Sequence, residues 1–207
     1  MRRERGQQPS PMRSFDPRQV GALECRAWVT YYRREWAALL VASVGLVRAG
    51  FRMSWPRTLY GAWLVLRANQ LWAPVDNDPD GARRCMERFY RLVAADSGEV
   101  LDTAEAARLE VDWWRAHRLV QHGPARNGDG RAGQDLVDAL VRLYAFLYRV
   151  DPAEVAPAAT LRAEAMDVSD RWVAAGCDLD SPLVADERAL LVRSYAALLA
   201  AVHRPSP

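Results

Sequence analysis

The stretch DPRQVGALECRAWVTYYRREWAALLVASVGLVRAG, residues 16–50, decides the fold class. Val20, Ala27, Trp28 and Tyr31 return to one face at helical spacing, and nowhere in the chain does an alternating strand pattern or a flanked hairpin turn occur. Asp16-Pro17 supplies an N-cap followed by proline at the first helical position, and Gly50 supplies a stop. The spacing predicts one helix from Asp16 to Ala49, about 50 Å long at 1.5 Å per residue, with a kink near Ser43 or Gly45.

The same punctuation recurs outward from this stretch. Ser54 before Trp55-Pro56 opens a second helix ending at Trp72, and Asp78-Pro79 opens a third ending near Ala95 and Gly98. Asp102, with Glu105 three residues on, starts a fourth that runs to about Gln121. A fifth carries Leu136, Leu140, Leu143, Tyr144 and Leu147. Asp151-Pro152 opens a sixth, interrupted at Pro157 and stopped at Gly176, and Ser181-Pro182 opens the last, which ends near His203. The expected class is all-α: a single-domain bundle of about six to seven helices over residues 16–204. It has a Gly-rich loop at 122–133 and a disordered basic tail over residues 1–15.

Charge narrows the function. All 28 basic residues are arginine against 26 acids, and neither lysine nor isoleucine occurs. Both missing residues have AT-rich codons, so the arginine count points to a high-GC bacterial coding sequence rather than to a nucleic-acid partner. The tail holds Arg2, Arg3, Arg5 and Arg13 against Glu4, which leaves the body near neutral, so no nucleic-acid binding is expected. The longest apolar run, Trp36 to Val47, is shorter than the roughly 20 residues a membrane span needs. No apolar stretch follows Met1-Arg2-Arg3 before Asp16, so no export signal is expected. Cys25, Cys85 and Cys177 lack any CxxC and fit reduced thiols in a cytoplasm.

Three constellations carry chemistry. Glu24 lies on the apolar face of the first helix, and Glu110, Trp114 and His117 share a stripe of the fourth. Facing each other, Glu24, Glu110 and His117 would form a carboxylate/histidine metal site for iron or manganese, although no ExxH pair of the di-metal bundles is present. Arg67 interrupts an apolar helix and, if buried, needs a partner: Glu24 or an anionic ligand group. Asp76, Asp78, Asp80, Gly81 and Glu87 follow the spacing of a calcium loop, but Pro79 and Arg83 disturb it, and helix capping by Asp78 competes. Arg83, Arg84, Arg88 and Arg91 read as a solvated helix face. The tryptophans fall within helical stripes, as core or as the wall of an aromatic pocket.

The expected function is a cytoplasmic helical-bundle protein that binds a small ligand or a partner protein through an aromatic-lined interior, with no assigned catalysis. Arg67, Trp28, Tyr31, Trp63 and Trp114 are its expected binding residues. The alternative is an iron- or manganese-dependent oxidase or oxygenase with Glu24, Glu110 and His117 as ligands. A homodimer is compatible with both.

Overall fold

The computed structural model describes residues 10–122 and 130–203, apart from the side chains of residues 130–132. Those residues form a 3-10 turn, Pro11–Arg13, and eight α-helices with no strand. The helices are α1 (Pro17–Tyr32), α2 (Trp36–Phe51), α3 (Trp55–Trp72), α4 (Pro79–Ser97), α5 (Thr103–His122), α6 (Gly130–Tyr148), α7 (Pro152–Ala174) and α8 (Pro182–Val202).

The sequence signals for helix starts have direct physical counterparts. Asp16, Asp78, Asp151 and Ser181 each accept a backbone N–H of the first turn, from Arg18, Gly81, Ala153 and Leu183, with proline at the first position. Asp102 Oδ1 accepts from the N–H groups of Ala104 and Glu105 at 3.1 and 3.0 Å. Glu105 does not reach back to complete a capping box but pairs with Arg108 at 2.6 Å. Because α4 is helical from Pro79, the stretch 76–87 cannot wrap a cation, which corrects the calcium-loop alternative. Asp78 caps the helix, Asp80 pairs with Arg83 at 3.2 Å, and Glu87 pairs with Arg91.

The helix predicted over Asp16–Ala49 is two helices. The chain turns at Arg33–Glu35, where Arg34 takes a left-handed φ of 60° and Glu35 N–H donates to Thr30 O at 2.9 Å. No glycine, proline or asparagine marks this turn. It is held locally by the Arg34 guanidinium over the Tyr31 and Trp36 rings and from outside by its 3.2 Å bond to Ala73 O. Ser43 and Gly45 lie inside α2 without interrupting it; a Cβ on Gly45 would stand 2.9 Å from Leu23, so this glycine serves the close approach of α1 and α2. Pro157 likewise leaves α7 unbroken, because it and Ala153, whose carbonyl loses its donor, are solvent-exposed.

The predicted tail is also corrected in part. Met12 and Phe15 are buried in the main core, and Arg13 bonds Glu99 at 3.1 Å and Tyr148 O at 2.8 Å, so residues 10–15 belong to the folded body. Residues 1–9 and 123–129, which hold the rest of the expected tail and most of the expected Gly-rich loop, lie outside the described residues.

Each helix packs on the one before and the one after it, and α8 packs on α1, so the chain closes a ring. Directions alternate around it. At one end the C-termini of α1, α3, α5 and α7 meet: Gln121 donates to Tyr32 and Asp170, and Arg118 donates to Trp72 O. At the other end Arg57 near the start of α3 pairs with Asp96 near the end of α4. The ring closes tightly, since a Cβ on Gly21 of α1 would lie 2.7 Å from the backbone nitrogen of Val192 in α8. Backbone cannot yield as a flexible side chain can. Gly21→Ala is therefore expected to destabilise the protein by about 1–3 kcal/mol, read by urea unfolding; an unchanged midpoint would show that α1 and α8 shift freely.

Candidate functional site

A ring of eight helices about 10 Å thick each leaves space along its axis unless large side chains fill it. Here a cavity of about 230 Å³ remains, and all eight helices contribute to its wall. Aromatic rings dominate the lining: Trp28 and Tyr31 of α1, Phe89 and Tyr90 of α4, Trp113 and Trp114 of α5, Tyr144 and Tyr148 of α6. Glu110, Trp28 and Tyr195 sit deep in the ring yet keep partial accessibility, because the surface they expose faces this space.

Two polar groups are built into the wall. The first is the ion pair of Glu24 (α1) with Arg162 (α7), both buried. Arg162 Nη1 also donates to Tyr144 Oη at 2.9 Å, and its guanidinium lies 5.0 Å from the centroid of Trp113 and 5.9 Å from those of Trp28 and Tyr144. Burial alone would favour the neutral guanidine; the Glu24 carboxylate and the Tyr144 hydroxyl outweigh it and hold Arg162 firmly charged. Glu24 Oε2 and Arg162 Nε have no hydrogen-bond partner, although the Tyr195 hydroxyl stands beside the carboxylate.

The second group is Glu110. Tyr90 Oη donates to its Oε2 at 2.6 Å and Trp113 Nε1 to its Oε1 at 3.1 Å. Burial pushes this carboxyl above its ordinary range; the two donors and the Arg162 charge recover only part of the shift. Burial also raises Tyr90, Tyr144 and Tyr195, so these phenols are neutral near neutral pH; Tyr90 donates to Glu110 and Tyr144 accepts from Arg162.

A smaller pocket of about 80 Å³ adjoins the first at the α1/α3/α5/α7 end and shares Trp28, Tyr31, Trp113 and Trp114 with it. Its polar edge is a chain in which His117 Nε2 meets Asp170 Oδ2 at 3.2 Å and Gln121 bridges Asp170 and Tyr32 at 2.5 and 2.7 Å.

The expected binding residues separate on this geometry. Trp28, Tyr31 and Trp114 line the cavity. Trp63 is 44% exposed on the outer face of α3, stacked on Tyr60 and beside exposed Trp55 and Leu59. Arg67 is on that exposed side too, bonded to Gln70 at 2.6 Å, so it needs no internal partner, and Glu24 takes Arg162 instead. The buried residues of α3 are Thr58, Gly61, Ala62, Leu64, Leu66, Ala68 and Trp72, and Phe89 approaches to 3.4 Å of a Cβ on Gly61.

The expected metal ligands do not converge. Glu24 is engaged by Arg162, Glu110 by Tyr90 and Trp113, and His117 by Asp170, and among the described residues no three His, Cys, Asp or Glu side chains are grouped to hold an ion. Arg162 itself escaped the sequence reading, although it occupies the buried stripe of α7 with Val155, Ala158, Ala165, Met166, Ser169 and Trp172. An arginine four residues after Ala158 and four before Met166 was the available signal. Comparison with protein-family models, with curated proteins and with solved structures finds no match to this chain.

Proposed function

We propose that the protein binds a small, largely apolar ligand in the cavity at the centre of its helical ring, without catalysing its conversion. One observation carries this reading: about 230 Å³ of space remains where all eight helices meet, walled by aromatic rings and a few placed polar groups. Close packing is the norm for protein interiors, and a pocket that is mostly apolar with a few convergent polar groups is the usual form of a small-molecule site. Trp28, Tyr31 and Trp114 supply apolar contact, and Glu110, Tyr195 and the Arg162 guanidinium supply orientation. Tyr90 is bonded to the Glu110 carboxylate in this wall, but burial pushes it and the other phenols away from ionisation, which favours binding over chemistry. The exposed rings of α3 offer no chemistry that selects an occupant, so the partner-protein half of the expectation is not carried forward. No helix among the described residues is long and apolar enough to cross a membrane.

The test is a thermal-shift and tryptophan-fluorescence titration with small aromatic probes, wild type against Ser43→Leu. Ser43 lines the cavity, is buried, and its hydroxyl has no partner, so leucine fills space without stranding a polar group. Wild type should show quenched fluorescence from the wall tryptophans and a rise in Tm that grows with the logarithm of probe concentration. Ser43→Leu should fold with unchanged helicity and lose both responses. Probe binding that survives the filled cavity places the site elsewhere and overturns the reading.

A further inference from the structure

We propose that the central cavity selects a small organic cation, an aryl- or alkylammonium, held by the Glu110 carboxylate within the aromatic wall. The inference rests on the binding function above and adds the ligand's charge.

Charge in the wall carries the argument. Apart from the tyrosines, its ionisable groups are Glu24, Glu110 and Arg162: two carboxylates and one guanidinium. The guanidinium is committed to Glu24, whose Oε1 accepts from its Nη2. Glu110 has only neutral donors, Tyr90 and Trp113, on its two oxygens, and each carboxylate oxygen can accept more than one bond. Of the two carboxylates in the wall, Glu110 is therefore the one with no cationic donor hydrogen-bonded to it.

The wall already holds one cation by this chemistry. Arg162 is buried because a carboxylate neutralises it and the faces of Trp28, Trp113 and Tyr144 lie within 6 Å of its charge. Glu110, which shares the cavity lining with Tyr90, Trp113 and Trp114, offers an incoming ammonium a second carboxylate among aromatic rings. An anion would meet Glu24 and Glu110 and find the guanidinium charge already matched by Glu24, with only its Nε–H unpartnered. A neutral ligand would gain apolar contact alone. The further cations against the wall are engaged elsewhere: Arg13 with Glu99 and Tyr148 O, Arg34 with Ala73 O, and Arg118, bordering the smaller pocket, with Trp72 O and Pro74 O.

Proton balance follows. Burial favours the protonated Glu110 carboxyl, so when an ammonium enters, the proton leaves to solvent and the carboxylate pairs with the cation. Cation affinity should therefore rise with pH through the range in which Glu110 ionises.

Three probes of similar size separate the outcomes on the full chain: phenyltrimethylammonium, its neutral isostere tert-butylbenzene, and benzoate. Fluorescence titration is expected to give phenyltrimethylammonium at least about a tenfold tighter Kd than tert-butylbenzene. Glu110→Gln should erase that preference, read as the ratio of the two Kd values, and Tyr90→Phe, which keeps the carboxyl but removes one donor that favours its ionised form, should retain it once pH is raised. Should Glu110→Gln fail to fold, the pH dependence of phenyltrimethylammonium affinity in wild type reads the same carboxylate. Equal affinities, a preference for benzoate, a cation preference that survives Glu110→Gln, or cation affinity flat across carboxylate titration overturns the cation and leaves the binding function standing. If none of the three probes binds, both fail.

Discussion

Replacing Arg162 by methionine is expected to lower the free energy of unfolding by about 3–5 kcal/mol, the range for stranding one member of a buried ion pair. Arg162 is 8% exposed and Glu24 4%, so neither charge can turn to bulk water. With the guanidinium gone, the Glu24 carboxylate loses its counter-ion and the donor on Oε1, and Tyr144 and the Trp28 and Trp113 rings lose their shared neighbour. At roughly 2–4 °C per kcal/mol for a chain of this size, Tm should fall by about 10 °C. The double variant Glu24→Leu/Arg162→Met should recover most of the loss, because it removes both charges and refills the space with apolar atoms. A urea double-mutant cycle measures this. If Arg162→Met costs less than about 1 kcal/mol, the pair is solvated and the cavity wall is wetter than described here.

The second large effect is a stability that falls as pH rises. Glu187 of α8 is 0% exposed, and neither of its carboxyl oxygens has a hydrogen-bond partner. Burial pushes the carboxyl from its ordinary 4.5 up to about 7; the facing Cys25 thiol and Ser169 hydroxyl offset part of this, and the negative charges of Glu24 and Asp170 add to it. Below the ordinary value the folded and unfolded chains both hold the proton, so the group contributes no difference. Between there and neutrality the unfolded chain ionises while the folded chain keeps its proton, and stability drains away until the folded carboxyl ionises as well. At 1.36 kcal/mol per unit, the loss between about pH 4.5 and pH 7 is roughly 3 kcal/mol. Glu187→Gln keeps the shape and removes the titration. Urea unfolding of both proteins between about pH 5 and pH 8 should give curves that separate with rising pH, the variant ahead by most of that amount at the alkaline end. Glu110 shifts in the same direction and is present in both proteins, so the difference isolates Glu187. Curves that stay parallel would show that Glu187 is hydrated.

The helix starts at Asp16, Ser54, Asp78, Asp102, Asp151 and Ser181 were legible because capping and proline geometry act within a few residues of chain. The break at Arg33–Glu35 was not, since its left-handed arginine is held by Ala73 O across the ring rather than by a local preference. That one turn converts seven expected helices into eight. Within the site, Glu24, Trp28, Tyr31, Glu110 and Trp114 were legible as members of inward stripes and do line the cavity. Trp63 and Arg67 were misplaced because α3 carries large apolar side chains on both sides, Trp55, Leu59 and Trp63 outward and Leu64, Leu66 and Trp72 inward, so hydrophobicity gave no sided signal; Gly61 sits on the buried side, where Phe89 of α4 approaches.

By itself the sequence determined that the chain is all-helical and where most of its helices begin, because periodicity and capping are properties of neighbours in the chain. Only the tertiary structure decided that the helices close into a ring, that Glu24 meets Arg162 rather than Arg67 or a metal, and that Glu110 keeps no cationic partner of its own. Glu24 and Arg162 lie 138 positions apart. Pairings at such range are set by which faces of the helices can approach closely, and no spacing within one helix encodes that.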